Sequence, residues 1–86
     1  VKRSEMIELS RRKLDLAIKH HLKCLKIEGA ARQAVAYSLR TKDRAAAEWA
    51  FELAKRRLQR VERRVAREAI FLRYVEQKDR DWVAGT

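Results

Sequence analysis

Eighty-six residues make at most one domain, and a chain with no proline, two glycines and 40% charged residues is built from strong helix formers. Its 22 Lys and Arg against 12 Asp and Glu leave a net charge of +10, which favours polyanionic partners such as nucleic acid, an acidic protein or an anionic membrane. A single cysteine excludes a disulfide framework and fits the cytoplasm or another reducing intracellular compartment. No apolar run is long enough to make a transmembrane segment, and none has the layout of a secretory signal.

The first predicted helix covers about residues 4–39. Ser4 can cap it, with Glu5 and Glu8 near the positive end of its dipole. Ile7, Leu14, Ile18, Leu22, Leu25, Val35 and Leu39 trace one apolar stripe, and Leu9, Leu16, Ile27 and Ala34 a second on roughly the opposite side. A helix apolar on two sides touches more than one neighbour. Gly29 is the one internal position that could end this helix, which would give a three-helix unit with a short middle helix over 30–39. The two-helix hairpin is the favoured reading.

Residues 20–24 read His-His-Leu-Lys-Cys, and His20 and Cys24 share a helix face at a spacing that could begin a zinc site. A structural site needs four ligands, and beyond His21 the chain has no other His or Cys. The expectation is therefore no metal, with Cys24 partly buried and the histidines at the edge of the seam or in solvent.

A turn is predicted at about 40–42, where Thr41 can cap a following helix and Asp43 would sit in its first turn. The second helix is expected over about 42–78. Ala47, Phe51, Ala54, Leu58, Val61, Val65, Leu72 and Val75 follow a 4-3 spacing that only Glu68 interrupts. Sustained over about four heptads, this is a coiled-coil-like seam on a rod some 55 Å long. Away from that seam lies a ridge: Arg56, Arg57, Arg60, Arg63, Arg64 and Arg67, with Lys55 beside them and only Glu62 opposing them. Like charges three and four apart repel by a few tenths of a kcal/mol per pair, so such a ridge gains from a multivalent anion. Trp49, Ile70, Phe71 and Tyr74 also stand off the seam, as a second packing face or as platforms for unpaired bases. Residues 79–86 are expected as a tail in which Trp82 either folds back on the bundle end or frays.

The expected fold is all-α, a single domain shaped as an antiparallel helical hairpin that associates into a bundle. A homodimer is the favoured assembly, and docking in a larger protein complex the other. Packing or oligomer contacts fall to Ile18, Leu25, Phe51, Leu58, Val61, Val65 and Leu72, with Trp49, Phe71 and Tyr74 on the second face. No Gly-rich phosphate loop, HExxH or GxSxG motif is present, so no enzyme, cofactor or small-molecule substrate is expected. The sequence thus reads as a non-enzymatic interaction or oligomerisation module whose basic surface docks an acidic partner. The alternative is a nucleic-acid-binding protein that uses Arg56, Arg57, Arg60, Arg63, Arg64 and Arg67 for phosphate-backbone contacts.

Overall fold

Helix-forming sequence without proline gives two helices, α1 (Arg3–Tyr37) and α2 (Thr41–Gly85), in a computed structural model that describes residues 3–38 and 41–85. The side chains of Thr41 and Ala84 lie outside that description, so the proposed Thr41 cap does too, as does Leu39 of the first stripe. Among the described residues only Ser38 is non-helical. Its N–H donates to the Val35 carbonyl at 3.3 Å, a bond three residues back that tightens the last turn of α1. The helices run antiparallel. Arg3 meets Trp82, Arg11 meets Glu76 and His21 meets Glu62.

The molecule measures 69 × 16 × 14 Å. Forty-five residues of α2 at about 1.5 Å each span about 68 Å, so α2 runs the full length as one nearly straight rod. The favoured two-helix reading is the one the structure shows, and the expectation of a C-terminal tail is corrected. Gly29 does not break α1, and no glycine among the described residues has positive φ. A single glycine costs a helix interior only about 1 kcal/mol, and here the residues on either side of it remain packed on α2. The C-terminal stretch is not a tail, since the helix continues to Gly85. No helix breaker precedes Gly85, half-buried Asp79 continues the seam, and the Arg3 guanidinium lies over the Trp82 ring.

The seam of α2 matches its spacing. Ala54, Val61 and Val75 are buried, and Ala47, Phe51, Leu58, Val65, Glu68 and Leu72 are half-buried. The seam of α1 differs from the expected stripe. The residues turned inward are Ile7, Ser10, Leu14, Ala17, His21, Cys24, Glu28, Ala31 and Val35, an unbroken alternation of three and four. Small or polar side chains dominate it. Ala17 is fully buried, and Ser10, Cys24 and Glu28 are nearly so. Glu28 is held by Arg32 one turn later. Ile18 and Leu25, expected in the core, are 40% and 41% exposed.

The reason is complementarity between the two seams. Phe51, Leu58, Val61, Val65 and Leu72 fill the space between the axes. A line of small residues on α1 lets the helices approach closely, and large faces small along the contact. Apart from Ile7, Leu14 and Val35, the larger apolar side chains of α1 are left to its flanks.

The resulting core is thin. The accessible surface is 7233 Å², against about 5,300 Å² for a compact monomer of this mass. The excess, about 1,900 Å², is more than twice the roughly 800 Å² that one partner contributes to a standard interface. No helix among the described residues is long and apolar enough to cross a membrane.

Candidate association and anion-binding surfaces

Seven-residue recurrence sorts the flanks of the hairpin into two sides. On one, Arg11, Ile18, Leu25 and Arg32 form a column along α1, while Glu48, Lys55, Glu62, Ala69 and Glu76 form a column along α2. Arg11 Nη2 stands 3.5 Å from Glu76 Oε2, and His21 Nε2 stands 3.6 Å from Glu62 Oε1, which fixes these columns on the same side of the seam. The Lys55–Glu52 pair at 2.9 Å and the Arg44–Glu48 pair at 3.3 Å are along this edge as well. This side is close to electroneutral, because the bases of the α1 column offset the excess of acids in the α2 column.

At its middle Ile18, Leu22 and Leu25 make a continuous apolar ridge, one helical turn apart, with Leu22 53% exposed. Ile18 lies between the Arg11–Glu76 and His21–Glu62 pairs, alongside the part of α2 that carries Ala66 and Ala69, and Leu22 and Leu25 continue the ridge past His21. One end of a bulky ridge therefore borders two small residues.

The opposite side is basic. Met6, Lys13, His20 and Ile27 recur every seven residues along α1, and Arg57, Arg64, Phe71 and Lys78 along α2. Three shallow depressions place them together. His20 and Cys24 line one with Arg57 and Arg60. Lys13 lines a second with Arg67, Glu68 and Phe71. Met6 lines a third with Tyr74 and Lys78. The ridge thus leans over towards α1. Only Arg56 and Arg63 stand on the outer crest, in one column with exposed Trp49 and Ile70.

All six arginines are exposed. Among the described residues none of them forms a salt bridge. Of the nearby acids, Glu52 pairs with Lys55, Glu62 stands 3.6 Å from His21, and half-buried Glu68 lines a depression with Arg67 without a salt bridge to it. No salt bridge among the described residues supplies the charge relief that spacing alone would assign to the ridge. Sequence reasoning missed the contribution of α1, where Lys13 and His20 face the arginines across the seam and Lys23 follows one turn after His20. The seven-residue recurrence from Met6 to Ile27 was the available signal.

His20 and Cys24 do line one depression, but the groups beside them are the cationic Arg57 and Arg60. Among the described residues no group of three or more His, Cys, Asp or Glu could hold a metal ion. Cys24 itself is a free, buried thiol.

The geometry defines a class of architecture, a long antiparallel α-helical hairpin with one neutral and one arginine-rich side. Comparison with family models, with curated proteins and with solved structures found no match.

Proposed function

We propose that this protein is a non-enzymatic helical association module, in which two hairpins pack through their neutral sides into a four-helix bundle and leave their arginine sides open to a polyanionic partner. The observation that carries this reading is the exposed Ile18–Leu22–Leu25 ridge, whose Ile18 end borders Ala66 and Ala69. A two-fold axis sets the ridge of each copy against Ala66 and Ala69 of the other, the self-complementarity that an isologous contact requires. Offsetting charges along this side spare two chains of net charge +10 from repelling each other at the contact. The surface excess of about 1,900 Å² over a compact monomer supplies the area such an interface needs.

Sedimentation equilibrium tests this. The reading expects twice the 10.2 kDa chain mass at micromolar concentration, with little change between low and high salt, because the contact is apolar. A mass of one chain across that range would refute it.

A further inference from the structure

We propose that the arginine side is a rail for the phosphate backbone of a nucleic-acid duplex, bound without base readout. The inference goes beyond association, since each hairpin carries a whole rail whether or not it pairs. Its basis is a combination of unpaired charge, linearity and few apolar anchors along the arginines.

Arg57, Arg60, Arg64 and Arg67 climb one side of a straight rod over about 15 Å, at the usual rise of about 1.5 Å per residue. All are exposed and, among the described residues, none has an acidic partner. Lys13 and His20 of α1 border the same trough. Like-charged side chains held this closely repel each other in the free protein, and a regular polyanion relieves that repulsion at every turn. Guanidinium groups donate to phosphate oxygens in a fixed fork.

An acidic protein offers carboxylates, but a protein interface draws much of its affinity from a desolvated centre with apolar or aromatic anchors. Between Arg56 and Arg67 the exposed positions are charged or polar apart from Ala66, and one depression there is lined by Arg60, Arg63, Ala66 and Arg67. Of the aromatic side chains on this side, Phe71 lines only the last depression along the arginines, with Arg67 and Lys13, and Tyr74 stands beyond the end of the ridge. Binding energy at the ridge must therefore come from charge neutralisation and counterion release. A duplex backbone supplies both at high charge density, and contacts of this kind position a protein on the duplex without reading its sequence.

The test is fluorescence anisotropy of a labelled 20-base-pair DNA duplex of arbitrary sequence, titrated with the full chain between 50 and 200 mM NaCl. With about five phosphates neutralised, the log–log salt slope is about −4.5 and affinity falls roughly 500-fold across that range. The combined variant Arg57→Gln, Arg60→Gln, Arg64→Gln and Arg67→Gln should flatten the slope to about −1. A second variant removes the same net charge from elsewhere, by Arg12→Gln, Lys19→Gln, Lys26→Gln and Arg73→Gln, and should leave the slope within one unit of the original. Circular dichroism establishes that both remain helical. Equal losses in the two variants would overturn the rail, as would absent duplex binding alongside salt-dependent capture of poly-glutamate. Molar mass measured on the same samples reports self-association separately, so failure of the rail and failure of the bundle are distinguishable.

Discussion

The Arg3 guanidinium carbon lies 3.7 Å from the centroid of the Trp82 ring, joining the first turn of α1 to the last turns of α2. A cation over an indole face is worth about 0.5–1 kcal/mol at an exposed site. Replacing Trp82 with Ala should therefore lower global stability by no more than about 1 kcal/mol. Amide exchange should accelerate in the opening turns of α1 and the closing turns of α2 together, leaving the middle unchanged. Acceleration in α2 alone would mean that the contact does not couple the ends.

His21 occupies a seam position where its Nε2 is buried without a hydrogen-bond partner, and Glu62 at 3.6 Å is beyond hydrogen-bond reach. A buried polar atom left unpaired costs about 1–3 kcal/mol. Exchanging His21 for Leu should raise stability by about 1 kcal/mol, read as a higher urea midpoint at unchanged m-value. A lower midpoint would indicate that the imidazole is satisfied in solution.

Gly29 lies inside α1, and a Cβ built there meets nothing within 4 Å. Gly29→Ala should then stabilise the hairpin by about 0.5–1 kcal/mol through helix propensity and reduced unfolded-state freedom. Destabilisation would show that the backbone bends at that point.

Ala17 is fully buried while its neighbour Leu16 is 62% exposed. Ala17→Leu should force the helices apart and cost about 1–3 kcal/mol or more, whereas Leu16→Ala should change stability by under about 0.5 kcal/mol. Thermal melts of the two variants decide it. Size and hydrophobicity alone suggest the opposite order.

That inversion marks how far the fold was legible. The α2 seam could be read residue by residue, because Phe51, Leu58, Val61, Val65 and Leu72 are both apolar and evenly spaced. In α1 the bulky residues and the seam are largely different sets. Ile18, Leu22 and Leu25 carry the hydrophobic signal one column away from Ala17, Cys24 and Glu28, which make the contact. The inward choice depends on the shape of the opposing helix, and that information is not in α1 itself. Continuation of α2 to Gly85 was likewise obscured by the charged run before Trp82, whose partner Arg3 lies at the other end of the chain. The arginine ridge was legible as a cluster. Its lean towards Lys13 and His20 depends on the antiparallel pairing and could only follow from it.

The separation of the two sides is tested most directly by one glutamate on each, Leu22→Glu and Arg64→Glu, with molar mass measured by sedimentation equilibrium. The account expects Leu22→Glu to run as a single helical chain and Arg64→Glu to keep twice the 10.2 kDa chain mass. A dimer that survives Leu22→Glu but dissociates with Arg64→Glu would place the contact on the wrong side and contradict it.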